Sequence, residues 1–401
     1  MTSGKVDVVV AGHACVDIFP SVPAFTGSFA ELFRPGKLIN VEAATISTGG
    51  VVPNTGLPLR RLGKTVRLMG KCGNDLFGSA LVDKLTSQAT GDEISMRVVD
   101  GETTSYTIVI SPPGIDRIFL HCPGANDTFD AADIDQTVVA AADLFHFGYP
   151  PLMARTYGNG GQELAQIMAN AKSAGATTSL DLALPDPAGP SGQVDWPAIF
   201  RRTLPHVDLF VPSIEELAFT LQRSAFDTLL ARAADGDLLA GIDGKLLGEL
   251  GQACIDAGVA VVVIKCGRLG LYVRTAGKQR LEKTGRARPG SLDDWADREL
   301  FEPSYHVEKV VSAAGSGDNA VAGFLAAYLN GCGVEDALRY ACAVGAQNVQ
   351  VLDTTSGVKS WDETTRQVRA NRPKNEVTIP LRDWRFDSQA AHWISPRDRQ
   401  R

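Results

Sequence analysis

Residues 312–331 read SAAGSGDNAVAGFLAAYLNG, and this stretch carries the strongest structural signal in the chain. Apolar residues recur at helical spacing after Asp318, which predicts a helix that ends near Gly331. Gly315 and Gly317 leave the backbone N–H groups ahead of this helix open to a ligand. Because the N-terminus of a helix attracts anions, the segment is predicted to stabilise negative charge on a transferring phosphoryl group.

The carboxyl group of Asp318 has more than one interpretation from the residues alone. It caps the helix in whose first turn it lies, or it accepts a proton as a general base. The segment also fits the dinucleotide-binding pattern G-x-G-x-x-A. This last interpretation is weaker, because an aspartate inside the loop would repel a pyrophosphate. In addition, Glu335 and Asp336 are predicted to open a helix rather than to end a strand.

Strand-like and helix-like segments alternate outward from this stretch over most of the chain. Apolar, often β-branched runs predict buried strands at residues 6–12, 65–70, 143–148, 177–184, 208–213 and 259–267, and the run HVEKVV at 306–311 predicts a further strand. Helical patterns lie between them, at residues 159–174, 242–257, 318–330 and 334–350. Apolar strands that alternate with helices predict an α/β fold, with a mostly parallel central sheet flanked by helices.

Two regions, residues 17–47 and 97–124, interrupt the alternation and are predicted to form a small β lid. Within the second region, SYTIVIS (105–111) and RIFLHCPG (117–124) are predicted to pair as a hairpin. The sequence Pro112-Pro113-Gly114 between them favours a turn.

Two other segments fall outside the pattern. The polar residues 276–304 are predicted to form a surface insertion. The main domain is assigned to residues 1–370, and residues 371–401 are predicted to form a C-terminal tail that wraps or extends from it.

A second glycine pair, Gly49-Gly50, lies just ahead of a predicted helix that contains Asn54. Glycines let a small ligand approach the backbone closely, and the Asn54 amide offers both a donor and an acceptor. Asp17 follows the first predicted strand, at the sheet edge where α/β proteins bind ligands. A tight turn between strand and helix is the structural alternative for the glycine pair.

The bulk composition disfavours several classes of function. The 401 residues include 46 acidic and 39 basic side chains, and without a long basic run the net charge of -7 disfavours nucleic-acid or membrane-surface binding. The 7 cysteines include no Cys-x-x-Cys pair, as expected of a reducing compartment. The N-terminal run VDVVVAG is too short for a signal peptide, and no stretch approaches the ~20 apolar residues of a membrane span. A cytoplasmic location is therefore expected.

Five groups of segments, in this order, resemble the ribokinase-like (PfkB) carbohydrate kinase family. They are TGGVVPNTGLPLRRLG with GKCGNDLFG, DRIFLHCPGAND, DLFVPSIEE, IKCGRLGLYV, and GSGD with NAVAGFLAAYL. The resemblance extends over residues 6–360. It implies an ATP-dependent kinase that uses Mg²⁺ and phosphorylates a hydroxyl group of a sugar or sugar derivative. It also allows a homodimer formed through the β lid.

The same resemblance assigns roles residue by residue. Asp318 is the catalytic base, and the anion hole is formed by Gly315, Ser316 and Gly317. Contacts to the acceptor fall on Asp17, Gly49, Gly50 and Asn54. Glu216 is assigned to the magnesium region, although an acid in the first turn of a helix also complements the helix dipole. Contacts to the nucleotide fall on Ser213, Lys265, Gly267, Gly270 and Gly357.

The chain departs from the family pattern at several positions, which indicates a divergent member. Ser213 replaces the usual Asn ahead of Glu216, and Ser312-Ala313-Ala314 replaces Asp-Thr-Thr, which disfavours a potassium site. Cys15 stands where ribokinase has Asn, which disfavours ribose, and Lys265 stands where Thr is common near the phosphates. A nucleoside kinase of the same fold and a catalytically weak sugar- or nucleotide-binding regulator stay open as alternatives. ATP consumption across a panel of sugars and nucleosides separates these hypotheses.

Overall fold

The computed structural model describes residues 5–23, 29–112, 118–233, 237–370 and 372–398. The strands in these ranges are β1 (Val6–Gly12), β2 (Cys15–Ser21), β3 (Glu42–Gly49), β4 (Val66–Gly73), β5 (Ile94–Val99), β6 (Tyr106–Ile110), β7 (Ile118–Cys122), β8 (Ala142–Gly148), β9 (Thr177–Asp181), β10 (Leu209–Phe210), β11 (Val261–Lys265), β12 (Gly270–Thr275), β13 (Glu299–Pro303), β14 (Arg385–Asp387) and β15 (His392–Ile394). The helices are α1 (Phe29–Leu32), α2 (Val51–Arg61), α3 (Leu76–Thr86), α4 (Gln136–Ala141), α5 (Ala154–Tyr157), α6 (Gln162–Ser173), α7 (Trp196–Thr203), α8 (Ile214–Leu221), α9 (Arg223–Arg232), α10 (Gly244–Asp256), α11 (Lys278–Leu281), α12 (Leu292–Trp295), α13 (Ser316–Leu329), α14 (Val334–Asn348) and α15 (Trp361–Arg369). Within the described ranges, no helix has both the length and the apolar character needed to cross a bilayer.

Most of the strands form one large sheet, in the order β14-β15-β13-β12-β11-β10-β9-β8-β1-β4-β5. All neighbours from β11 to β5 are parallel, and β12, β13, β15 and β14 join antiparallel. Alternate residues of β1 enter opposite apolar layers: Val8 and Val10 pack on one face, and Val9 and Ala11 on the other. A sheet covered on both faces requires strands that are apolar throughout. The predicted α/β class with a mostly parallel sheet is confirmed.

Two predicted strands are largely or wholly absent, and the predicted strand 177–184 ends earlier, at Asp181 of β9. The run at 208–213 contributes only the short β10, because Pro212 has no N–H to donate and Ser213 already caps α8. Asp208 and Val211 still donate backbone hydrogen bonds to β9. The run HVEKVV at 306–311 is not a strand and is mostly exposed. It finds no place in the large sheet, because β12 and β15 occupy both sides of β13.

The segment 276–304 and the C-terminal residues contribute strands to the large sheet. The prediction of a surface insertion is wrong for the second half of 276–304, because β13 is buried and Trp295 is fully buried against Phe324 and Tyr328 of α13. The C-terminal residues supply β14 and β15, so that the tail pairs with β13. Asp398 fixes its end through an ion pair with Arg298, whose Nε lies 3.0 Å from Oδ2.

The remaining four strands form a separate small sheet, in the order β3-β2-β6-β7. Strand β2 pairs antiparallel with β3 and parallel with β6, and β6 pairs antiparallel with β7 as the hairpin prediction required. Pro113 and Gly114 of the predicted turn lie outside the described residues. The small β sheet is confirmed, but residues 97–99 of the predicted lid segment belong to β5 in the large sheet.

Candidate active site

Four parallel strands carry polar side chains to one edge of the large sheet. His13 and Tyr149 come directly after β1 and β8, and Asp181 and Lys265 are the last residues of β9 and β11. Helix α13, with Asp318 in its first turn, meets this edge through side-chain contacts. Because open α/β sheets bind ligands at the carboxyl ends of their strands, this edge is the candidate active site.

The carboxylate of Asp318 is buried and makes its contacts outside its own helix. The N-cap of α13 is Gly315, and no side chain caps the helix. Asn54 Nδ2 donates to Asp318 Oδ2 at 3.1 Å, and Tyr149 Oη donates to Oδ1 at 2.6 Å. Burial raises the pKa of Asp318, against the opposing effects of the Tyr149 bond, the Lys265 charge and the Asn54 bond. The carboxylate is therefore not the helix cap that the sequence also allowed.

Amide side chains hold the loop ahead of α13. Asn319 Nδ2 donates to the carbonyl oxygens of Gly315 at 2.6 Å and Thr354 at 2.7 Å. Asn348 Nδ2 donates to the carbonyl oxygen of Ala314 at 2.8 Å. Gly315 has φ +71°, a left-handed conformation that favours glycine. Neither asparagine is among the predicted site residues, although together they fix the backbone of the predicted anion hole.

The first-turn amides of α13 provide donors at this loop. The N–H groups of the first turn have no acceptor inside a helix. The amide of Ser316 donates to the carbonyl oxygen of Ala313 at 3.3 Å. The amides of Gly317 and Asp318 follow it in the same turn and are the groups most suited to an anion.

A cleft of about 260 Å³ opens beside the loop. Five residues predicted for phosphate or nucleotide contacts line it, namely Lys265, Gly267, Gly270, Ser316 and Gly317. Helix α14 contributes small and apolar lining residues, and the C-terminal segment contributes Asn375. Gly270, at φ +129°, has no room for a larger residue, because a Cβ atom would lie 2.0 Å from the Glu302 carbonyl oxygen. A mostly apolar cleft that ends at first-turn amides can hold a planar base and its phosphates.

Two residues predicted for the nucleotide are not among the described residues that line this cleft. Gly357 packs against the end of α14, where a Cβ atom would lie 2.6 Å from the carbonyl oxygen of Gln347. Ser213 caps α8: its Oγ accepts the Glu216 N–H at 3.2 Å, and Glu216 Oε2 accepts the Ser213 N–H at 2.6 Å. This reciprocal capping box commits the Ser213 hydroxyl and one Glu216 oxygen to local bonds.

Lys265 lines the cleft, and its charge acts on Asp318. Its side chain is only 11% exposed, and Nζ lies 2.5 Å from Asp181 Oδ1. Its Cδ, Cε and Nζ atoms would lie 3.6, 3.7 and 3.9 Å from a Cβ atom built on Gly317. Burial alone lowers the pKa of Lys265, but the charges of Asp181, Glu216 and Asp318 raise it above its ordinary value. Lys265 therefore presents a positive charge beside the predicted anion hole.

The predicted acceptor residues lie together where the small sheet meets α2. Asp17 lies in β2 of the small sheet rather than at the end of the first strand, and it packs over Gly49, where a Cβ atom would lie 2.2 Å from Asp17 Oδ2. Gly50, at φ +90°, packs against His13, whose Nδ1 would lie 2.5 Å from a Cβ atom. Burial raises the pKa of Asp17 to about 6, against the opposing bonds from Cys15 and Thr107.

Two histidines beside these glycines were not predicted as site residues. The His13 ring lies 5.3 Å from that of His121 and 5.9 Å from that of Tyr149. Neither ring nitrogen of His13 has a hydrogen-bond partner in the described part of the chain. Burial lowers the pKa of His13 to about 3, and burial also lowers the pKa of His121, so both imidazoles are neutral at pH 7.

One sequence signal points to two of the missed residues. His13 and Tyr149 each follow a strand that the sequence predicts correctly, at residues 6–12 and 143–148. Ligands bind at the carboxyl ends of parallel strands, and this rule selects both positions as well as Asp17. It does not select Asp181, because the predicted strand 177–184 extends beyond the observed end of β9 at that residue.

Comparisons with known proteins show the family to which this chain belongs. Residues 5–361 match the model of the pfkB family carbohydrate kinases. The 2-dehydro-3-deoxygluconokinase of Bacillus subtilis is 24% identical over 341 residues, which cover 82% of this chain and 90% of that protein. The structure of Arabidopsis thaliana ribokinase complexed with ribose and ATP has a TM-score of 0.67 at 18% identity, covering 91% of this chain and 99% of the other. A protein described as ribokinase II from E. coli, in complex with ATP and Mg²⁺, has a TM-score of 0.63 at 19% identity, with coverage of 91% and 100%. The chain belongs to the pfkB family of carbohydrate kinases.

Proposed function

We propose that this chain transfers the γ-phosphoryl group of ATP to a hydroxyl group of a sugar or sugar derivative, with Asp318 as the general base. The proposal rests on one observation: the Asp318 carboxylate lies between the groups that border the nucleotide cleft and the residues on the acceptor side. The first-turn amides of α13 and Lys265 border the nucleotide cleft. Asn54 and Tyr149 bind the carboxylate from the side of the acceptor residues. Both structural neighbours described above were solved with ATP, which supports ATP as the donor.

In the proposed reaction, the acceptor oxygen forms a bond to the γ-phosphorus while the bond from that phosphorus to the bridging oxygen of ADP breaks. The proton of the acceptor hydroxyl moves to Asp318. Burial raises the pKa of this carboxyl, which makes it a stronger base near neutral pH. Asn54 and Tyr149 donate to the carboxylate, so they orient it and favour its charged form.

Negative charge on the transferring phosphoryl group is stabilised by groups that the fold already holds in place. The amides of Gly317 and Asp318 supply N–H donors, and Lys265 supplies a full positive charge. Such preorganised groups stabilise the transition state without rearranging during the reaction. The asparagine bonds to the backbone of the loop maintain this arrangement.

Magnesium suits this site as an ion that arrives with the nucleotide. In the described part of the chain, no three His, Cys, Asp or Glu side chains are grouped so that they could hold a metal ion. Glu216 keeps one carboxylate oxygen outside its capping box, which can accept from a magnesium-bound water. When bound, Mg²⁺ would neutralise charge on the phosphate oxygens. The neighbour solved with ATP and Mg²⁺ supports this role.

A sugar-like acceptor fits the polar groups of the small sheet. Asp17, Thr107 and the neutral imidazole of His121 can each exchange hydrogen bonds with hydroxyl groups. Closure of the small sheet over the acceptor would exclude water, which otherwise competes for the phosphoryl group.

A homodimer through the small sheet is a further part of the proposal. Ile46, Phe119 and Leu120 are exposed on its strands, at 41%, 57% and 53%. They lie on β3 and β7, the two edge strands of this sheet, and an exposed sheet edge can pair with that of a second copy. Light scattering after size-exclusion chromatography tests the dimer, and a monomer mass at micromolar concentration would contradict it.

Formation of ADP across an acceptor panel tests the function. The panel holds neutral sugars, sugar acids including 2-dehydro-3-deoxygluconate, and nucleosides, each with ATP and Mg²⁺. We expect one sugar or sugar derivative to raise ADP formation far above the rate without acceptor, and Asp318→Asn to lower the rate with that acceptor by ~10²–10⁴. Activity with nucleosides alone would contradict the sugar assignment, and no increase with any acceptor would contradict phosphoryl transfer.

A further inference from the structure

A buried ion pair, Lys265 with Asp181, lies where the nucleotide cleft meets Asp318. The Asp181 side chain is fully buried, and its Oδ1 accepts from Lys265 Nζ at 2.5 Å and from the Leu182 N–H at 2.8 Å. Its Oδ2 has no hydrogen-bond partner among the described residues. An unpaired buried carboxylate oxygen is destabilising, and buried ion pairs add little net stability. The pair is therefore better explained by a role in the site than by a role in folding.

The pair connects the two halves of the candidate active site. The Asp181 carbonyl oxygen accepts the Tyr149 N–H at 3.4 Å, and Tyr149 Oη binds Asp318. The Lys265 side chain runs alongside Gly317 at the start of α13. Asp181 thus contacts two residues of the site: Tyr149, which binds the general base, and Lys265, which is the cation of the proposed anion hole.

Lys265 is the lining cation placed to meet a phosphoryl group. Arg268 also lines the cleft, but its guanidinium binds Asp237 through two hydrogen bonds, at 3.1 and 2.7 Å, on the exposed side. Lys265 instead lies against the anion-hole loop, and within the described residues its carboxylate hydrogen bond goes to Asp181. An ammonium with three donors can keep or exchange that bond as a second anion arrives.

We propose that Asp181 is a positioning residue that holds the Lys265 ammonium beside the 315–317 loop, and that Lys265 exchanges this carboxylate for the γ-phosphoryl group of ATP. The proposal rests on the proposed function for the identity of the nucleotide. Asp181 touches neither nucleotide nor acceptor, and it acts through Lys265. Its removal should leave a lysine that still reaches the cleft but is no longer held in place or kept charged.

The charge of Lys265 provides a readout that a merely structural aspartate would not affect. Lys265 interacts electrostatically with the titratable groups of Asp181, Glu215, Glu216, Asp318 and His146. Asp181 is the strongest of the partners that raise its pKa. Without it, burial should lower the Lys265 pKa and the ammonium should lose its proton as pH rises.

Titration of Cys342 and Tyr305, which also line the cleft, should not contribute to the pH dependence of ATP binding. Burial raises the pKa of the Cys342 thiol well above its ordinary value, and burial likewise raises the pKa of Tyr305. Neither group should change its charge between pH 7 and pH 9.5.

Calorimetric titration of the full chain with ATP·Mg and with ADP·Mg, at pH 7 and pH 9.5, tests the proposal without an acceptor. The variants are Asp181→Asn, Lys265→Met and the double variant. The matched control is Asp208→Asn, because Asp208 is equally buried and paired with Lys172 and Arg280 at the start of β10. For Asp181→Asn we expect ATP binding close to parent at pH 7 and about tenfold weaker at pH 9.5, as for a lysine whose pKa has fallen a unit below the assay pH. ADP binding should change little, and Asp208→Asn should match the parent.

The double variant separates coupling from general damage. If Asp181 acts through Lys265, the double variant should bind ATP no more weakly than Lys265→Met alone. Once an acceptor is known, Asp181→Asn should lose about 10²-fold in kcat, the cost of displacing a catalytic group by about 1 Å. Additive losses in the double variant, or ATP binding by Asp181→Asn that is as independent of pH as that of the parent, would overturn the proposal. These binding results do not depend on phosphoryl transfer, so a chain without transferase activity would contradict only the proposed function.

Discussion

Replacing Tyr149 by phenylalanine removes one donor from Asp318 and keeps the ring that packs near His13. Tyr149 Oη donates to Asp318 Oδ1 at 2.6 Å, and Asn54 remains bound to the other carboxylate oxygen. Burial and the charge of Asp318 raise the pKa of Tyr149 well above its ordinary value, so the phenol keeps its proton and acts as a donor. The variant therefore perturbs the proposed base through a single hydrogen bond.

The size of the effect follows from the type of bond. A hydrogen bond to a charged group contributes about 1.5–3 kcal/mol. One pKa unit corresponds to 1.36 kcal/mol, so losing this bond should raise the pKa of Asp318 by about 1–2 units. The pKa of Asp318 should rise and not fall, because the lost donor stabilises the carboxylate and not the neutral acid. At a pH on the acid limb, activity should fall by about 10- to 100-fold.

The assay is kcat/KM for the acceptor between pH 5 and pH 9, because this parameter reports the ionisation of the free enzyme. Tyr149→Phe should move the acid limb to higher pH and lower the plateau by a smaller factor. Tyr272→Phe is the matched control: Tyr272 Oη donates to the buried Glu299 at 2.8 Å in the antiparallel part of the sheet. An acid limb that stays in place in Tyr149→Phe, or that moves equally in both variants, would refute the reasoning.

Three further predictions concern the acceptor, the metal and the small sheet. The Asp17 pKa of about 6 exceeds its ordinary value of 3.8, so the folded chain binds this proton more tightly and its stability falls as pH rises between these values. Asp17→Asn should therefore raise the free energy of unfolding at pH 7 by up to about 3 kcal/mol and weaken acceptor binding; denaturant unfolding at pH 4 and pH 7 that shows the same difference would contradict this. Glu216→Gln should raise the magnesium concentration needed for half-maximal rate, and an unchanged magnesium titration would argue against Glu216. Hydrogen exchange in β6 and β7 should slow when ATP and acceptor are both bound, and equal exchange with and without ligands would count against closure.

The sequence predicts the parts of this site that depend on local backbone chemistry. The segment after Ser312 combines glycines with a helical apolar pattern, and both the left-handed Gly315 and helix α13 follow from it. The contacts of Asp318 could not be read in the same way. Asn54 lies 264 residues away along the chain and Tyr149 lies 169 residues away, and only the packing of the sheet brings them together.

The errors have physical causes of the same kind. HVEKVV has the residues of a strand, but the sheet position that it would need is occupied by β15 from the C-terminal segment. Such competition between distant segments is invisible in a local pattern. Ser213 and Glu216 were assigned by resemblance to the ligand site, whereas the capping box that they form follows the local pattern S-x-x-E.

The most direct test of the account is the turnover of Asp318→Asn compared with its binding of ATP. Asparagine keeps the size of the side chain and can still bind Tyr149, so the fold and the nucleotide cleft should be retained. Loss of a positioned base typically costs ~10²–10⁴ in rate. We predict that this variant binds ATP·Mg within a few-fold of the parent and loses turnover by about that factor on the acceptor that the panel identifies. Turnover within a few-fold of the parent would show that Asp318 is not the base, and the mechanism proposed for this site would be wrong.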